Sequence, residues 1–132
     1  MAQDIVLVLF LLCLFQIKHM FADFFLQTPK MLSGRSAYVH MGRAQHAAVH
    51  GLGSALVFLI VGAGVVFVVL MFLAEWVVHF HIDWAKARYS QLKSHTPVQA
   101  GFWHAIGVDQ AAHQLTYIAM AAVWSLVYFP SV

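Results

Sequence analysis

Nine side chains of the types that bind metals or carry protons recur in this sequence at a four-residue spacing. His19 stands with Asp23, His46 with His50, Glu75 with His79 and Asp83, and Asp109 with His113. Residues four apart on an α-helix lie about 40° apart around its axis, so each pair shares a face. Glu75, His79 and Asp83 together span about 80°. Lys86 follows three residues after Asp83, and Gln16 and Gln27 flank the first pair on nearly the same stripe. Neutral imidazoles with carboxylates suit zinc, manganese or iron. The expected metal ligands are therefore His19, Asp23, His46, His50, His79, Asp83, Asp109 and His113. The expected cofactor is one or two divalent ions, zinc first, with manganese or iron as the alternatives. Nine candidates exceed the needs of one ion, which leaves some to orient the ligands. Glu75, or an acid left uncoordinated such as Asp109, is the expected general base. Lys86 is a point charge for a phosphate or carboxylate. The competing reading is a metal-free core of His–Asp pairs. His40, His95 and His104 read as loop or helix-start residues, and His81, two residues from His79, faces away from it.

These pairs need helices to carry them. Hydrophobic residues make up 62% of the 132 residues and charged residues only 9%, against about 25% charged in ordinary soluble domains. A bilayer is the solvent such a chain calls for. The expected fold class is all-α: one domain over 1–132, a polytopic bundle of four transmembrane helices at about 4–27, 43–60, 65–92 and 102–128. Pro29 and Pro130 close the first and last spans, and the segment 30–42 reads as a loop with a turn at Ser33 and Gly34. The apolar run 52–84 is too long for one crossing of about 20 residues. Gly62, Ala63 and Gly64 offer its break; a single long tilted helix is the alternative. The apolar stretch 5–15 follows Asp4 with no Lys or Arg and precedes no small-residue cleavage site, so it reads as a retained helix.

Lys30, Arg35, Arg43, Lys86, Arg88 and Lys93 gather around two connecting segments, and the opposite ends carry no Lys or Arg. The positive-inside rule places those segments in the cytoplasm and both termini outside, in a multi-pass protein of the inner (plasma) membrane. Each ligand-type residue then lies in the cytoplasmic half of its helix. An ionised group there costs at least about 2.5 kcal/mol in hydrocarbon, so these side chains must face the bundle interior. Lys18, near the cytoplasmic end, is expected to snorkel. Trp76, Trp84, Tyr89 and Trp103 fall at the cytoplasmic boundary, and Trp124, Tyr128 and Phe129 at the other. Gly51, Gly53, Ser54 and Ala55 allow close helix contact. A net charge of +2 offers no basic patch for nucleic acid, and Cys13, the single cysteine, excludes intrachain disulfides and Cys-based zinc sites.

The strings Gln16-x-x-His19-x-x-x-Asp23-x-x-x-Gln27-Thr28, Asp83-x-x-Lys86 and Asp109-Gln110-x-x-His113 resemble an uncharacterised bacterial membrane-protein family, domain of unknown function 3307. The resemblance implies a multi-span fold and shared polar positions, and no substrate. A looser chemical similarity exists to membrane-bound metal-dependent hydrolases. The helical zinc phospholipase C and nuclease group likewise uses His-x-x-x-Asp, as in His19-x-x-x-Asp23, and His-x-x-x-Glu, which Glu75-x-x-x-His79 reverses. The leading functional expectation is a metal-dependent hydrolase acting on a lipid or lipid-linked phosphoester at the cytoplasmic leaflet. The alternatives are a metal-ion or proton transporter, a di-metal oxidative enzyme and a non-catalytic membrane module. Transport would require a homo-oligomer, because the outer halves of the helices are apolar.

Overall fold

The computed structural model describes residues 2–129. Among them the chain forms five helices: α1 (Ala2–Phe24), α2 (Pro29–Leu32), α3 (Met41–Ile60), α4 (Val65–Lys93) and α5 (Ala100–Tyr128). The expected helix ends are met within three residues on each long helix. Pro29 acts differently from its expected role. α1 ends at Phe24, and Pro29 opens α2, where its fixed φ suits the first helical position. Thr28 caps α2, its Oγ1 accepting from the Met31 amide at 3.3 Å. The segment expected as plain loop thus begins with a helical turn. Pro130 lies outside the described residues.

The break in the long apolar run falls where the glycines are. Gly62 has φ +78. The Ala63 amide donates to the Phe58 carbonyl at 2.9 Å and the Gly62 amide to the Leu59 carbonyl at 3.0 Å, the two bonds that close a helix on a left-handed residue. α4 starts at once, so α3 and α4 form a tight antiparallel hairpin. The Gly64 amide donates to the Tyr128 hydroxyl at 2.6 Å, which ties the end of α5 to this turn.

The four long helices close a ring in which α1 packs on α3 and α5, and α4 on α3 and α5. At the turn end the interior is apolar, built on Leu11, Phe15, Phe58, Val68, Met120 and Trp124. Trp124 is therefore core, not a boundary residue as expected; it is 2% exposed. At the other end the interior is polar. The outer surface is apolar, with Ile5, Val6, Leu56, Val66, Leu115 and Leu126 all more than half exposed. α1 and α4 are long and apolar enough to cross a membrane.

Small residues set the helix spacing. A Cβ on Gly51 would lie 2.9 Å from the Phe72 ring of α4, and one on Gly53 would lie 3.2 Å from the Lys18 side chain of α1. Arg43, counted above as a surface charge, is buried. It donates to the carbonyls of Arg35 (2.5 Å), Ala37 and Tyr38 and lies over the Phe80 ring, fastening the α2–α3 segment to the bundle.

Two glycines give opposite expectations for stability. Gly62→Ala forces a side chain into the left-handed region and should cost about 1–2 kcal/mol. Gly107 sits inside α5 with open space at its Cβ position, so Gly107→Ala should gain about 0.5–1 kcal/mol. Thermal unfolding in detergent should lower the midpoint for the first variant and raise it for the second.

Candidate metal centre

Each long helix delivers its four-spaced pair to the polar half of the interior. Two groups of side chains converge closely enough to share an ion: Asp23, His46, His50 and His79, and His79, Asp83 and His113. Two zinc ligands, each about 2.0–2.1 Å from the ion at a tetrahedral angle, lie about 3.3 Å apart. Asp23 Oδ1 is 3.2 Å from His46 Nε2 and 3.1 Å from His50 Nε2. Asp83 Oδ2 is 3.4 Å from His46 Nε2 and 3.5 Å from His79 Nε2, and Asp83 Oδ1 is 3.7 Å from His113 Nε2. The rings crowd together, with His50 stacked on His79 at 3.7 Å between centroids and His79 4.3 Å from His113.

Hydrogen bonds fix which nitrogens are bare. His113 Nδ1 lies 2.9 Å from the Asp109 carbonyl, which can only accept, so Nδ1 carries the proton. In the neutral ring Nε2 is then a lone pair aimed at Asp83. A longer chain sets His50. His19 Nε2 faces two acceptors, Gln110 Oε1 at 3.1 Å and Asp23 Oδ2 at 3.2 Å, and so donates. Its Nδ1, 2.9 Å from the Tyr117 hydroxyl, therefore accepts that proton. The Tyr117 oxygen can then accept from His50 Nδ1 at 3.4 Å. This leaves His50 Nε2 bare, 3.1 Å from a carboxylate oxygen. Lone pair against carboxylate is repulsive unless a cation lies between them.

Charge counting agrees. Glu75 pairs with Lys18, and Lys86 Nζ lies 3.7 Å from Asp109 Oδ2. Among the described residues Asp23 and Asp83 have only imidazoles within ion-pair distance. With neutral imidazoles those two carboxylates leave two negative charges in the layer, matched by one divalent cation. Both nitrogens of His79 are buried without a hydrogen-bond partner, an expensive state for polar atoms that coordination relieves. The donor set fits a divalent metal.

The expected residues divide into three roles. Asp23, His46, His50, His79, Asp83 and His113 converge on the two ion positions. His19 and Asp109 stand beside them: both ring nitrogens of His19 are engaged elsewhere, and Asp109 faces Lys86. Glu75 lies a turn deeper. Lys18 does not snorkel; it turns inward to Glu75, donates to the His50 carbonyl at 3.1 Å and lies over the Tyr117 ring. Gly53 leaves the room for it. Glu75, held by this ammonium, is poorly placed to act as a base, and Asp109 is the better candidate. Gln16 bonds to Gln114 at the surface. His81 faces outward, bonded to Tyr38 at 3.1 Å. Tyr117 was missed. Its position four residues after His113 is the one signal that places it on the shared face.

Tyr117→Phe removes the hydroxyl that orients His19 and His50. The expected result is about a 10- to 100-fold loss of zinc affinity, read by competition with a chelator of known affinity, with the helical content unchanged.

No curated protein and no solved structure matches the chain. The family model described as Protein of unknown function (DUF3307) matches residues 9–131. The match takes in every residue of both ion positions, and the chain belongs to the DUF3307 family.

Proposed function

We propose that the chain is a four-span membrane bundle that holds one or two divalent ions, zinc foremost, and hydrolyses a lipid or lipid-linked phosphoester at the cytoplasmic leaflet. The observation that carries the reading is the convergence of the Nε2 atoms of His46, His50, His79 and His113 on the half-buried carboxylates of Asp23 and Asp83. The apolar exterior, with charged and imidazole side chains gathered in the interior at one end, departs from the soluble pattern and supports a lipid surround. α3 and α5, of 20 and 29 residues, are about 30 and 44 Å long, enough to span alongside α1 and α4. The metal-site end holds Lys30 and Arg35 in and after α2, and Lys86, Arg88 and Lys93 in the last turns of α4, which favours the cytoplasm for that end and the opposite side for both termini.

A bound ion would polarise a phosphoryl oxygen and acidify a water. Asp109 is positioned to accept a proton from that side, since its Oδ1 is buried without a hydrogen-bond partner. Lys86, a third exposed, is the charge available to an anionic substrate. Transport is disfavoured. Leu11, Phe15, Phe58 and Trp124 fill the interior on the far side of Lys18 and Glu75, and among the described residues no buried charged side chain lies beyond that pair, the hydroxyl of Ser54 being the one small polar group on α3 between His50 and Phe58.

Elemental analysis of the purified chain should find about one or two zinc equivalents. His79→Ala and Asp83→Asn should each lose most of that metal, together with release of phosphate or headgroup from phospholipid in mixed micelles. A chain without stoichiometric metal, whose stability ignores chelator, would refute the reading, and iron in place of zinc would turn it to oxidation. The membrane part has its own test. Cys13 is exposed on the bundle surface, where a surrounding bilayer would cover it. A water-soluble maleimide should leave Cys13 unlabelled in intact vesicles and label it after denaturation in detergent; ready labelling in vesicles contradicts the span.

A further inference from the structure

A cleft of about 590 Å³ opens between α4 and α5 beside the metal positions, within the usual size range of small-molecule sites. Its polarity is graded along the helices. Ile82 and Ala112 line the end nearer the apolar core, Ala105 and Val108 continue the apolar wall, and Lys86 and His104 stand toward the loop end. Asp109 belongs to both places, forming cleft wall on one side and lying 3.9 Å from His113 Nδ1 on the other. The contact between Lys86 and Asp109, at 3.7 Å, is well beyond the roughly 2.7–2.9 Å of a charge-assisted hydrogen bond. The ammonium is loosely held and reaches the cleft. His104, read above as a plain helix-start residue, adds a second donor at the same end.

We infer that this cleft is the binding site of a single anionic amphiphile, its phosphate at Lys86 and His104 and its acyl chain along Val108, Ala112 and Ile82. Charge complementarity chooses the occupant. At the loop end a cation would meet Lys86, the carboxylate of Asp109 lying on the metal side of the cleft, and a wholly polar solute would find mostly apolar walls. A lipid of the leaflet at the loop end has the required orientation, headgroup toward the loops and chain toward the core. Entry is lateral, between α4 and α5, and brings the phosphate up to Asp109 without passing through the bundle. The inference rests on the hydrolase reading for its biological sense but not for its test.

The test is equilibrium binding to the purified chain in detergent, with and without chelator. The probes are a fluorescent monoacylglycerol phosphate and the matched uncharged monoacylglycerol. The phosphorylated probe should bind about tenfold more tightly, a difference of about 1.4 kcal/mol. Lys86→Gln should abolish that preference and leave the uncharged probe's affinity as it was. Ala105→Trp, and independently Ala112→Trp, should weaken both probes at least about tenfold while the protein retains its metal and elutes as a single species. Equal affinity for the two probes overturns the proposal, as does binding indifferent to both tryptophan variants. Displacement by inorganic phosphate alone, with the tryptophan variants inert, leaves a headgroup-anion site and overturns the amphiphile. Probe binding by the expected rules in a chain that holds no metal retains the cleft and rejects the hydrolase.

Discussion

Asp23 and Asp83 are the constraint on which the rest of this structure turns. Each is a carboxylate set among imidazoles inside a helical bundle, with no Lys or Arg within ion-pair distance. Half-buried charge among neutral rings is costly unless it is neutralised or coordinated. Lys18 is paired with Glu75, and Lys86 faces Asp109 and the cleft rather than Asp23 or Asp83. One cation shared by several ligands answers the demand more economically than protonating several stacked imidazoles, whose positive charges would repel across the 3.7–5.4 Å between ring centroids. The four long helices, the small residues that bring them together and the tyrosine that orients two rings all serve that arrangement.

The layer is asymmetric. Toward the turn end the Lys18–Glu75 pair closes it, and beyond lie Phe15 stacked on Tyr117, Phe58 and Trp124. Toward the loop end it meets Lys86, Asp109 and the cleft between α4 and α5. A chamber with one closed end and one lateral opening suits chemistry on a molecule that enters and leaves by the same side. It suits passage poorly.

Much of this was legible in the sequence, for identifiable reasons. The long helices were readable because apolar runs end at turn residues, and Gly62 with its left-handed φ lay where the run had to break. The site residues were readable because four-residue spacing fixes which side chains share a face. What escaped depends on the facing helix. Nothing in α1 alone says that Gly53 of α3 makes space for Lys18 to turn inward, so its long side chain was read as snorkelling. Trp124 is an aromatic near a helix end, a position equally typical of a boundary, and only its place in the buried cluster with Leu11, Phe15, Phe58 and Val68 makes it core. Pro29 carries the same stop signal whether it ends one helix or opens the next; the Thr28 cap decides. His104 is one of several histidines near helix starts, and only the juxtaposition with α4 gives it a cleft to line.

The Lys18–Glu75 pair also bears on how the chain comes together. Lys18 arrives early in synthesis, on α1, while its partner lies on the second arm of the α3–α4 hairpin. On the four-span reading, α1 holds an uncompensated ammonium until that hairpin docks, and the hairpin holds an uncompensated carboxylate until it finds α1. Neither half is content in lipid by itself, and each carries the charge the other lacks. On that reading the pair would link the docking of the two halves: a misdocked hairpin would leave two isolated charges in hydrocarbon, and correct docking would remove both at once.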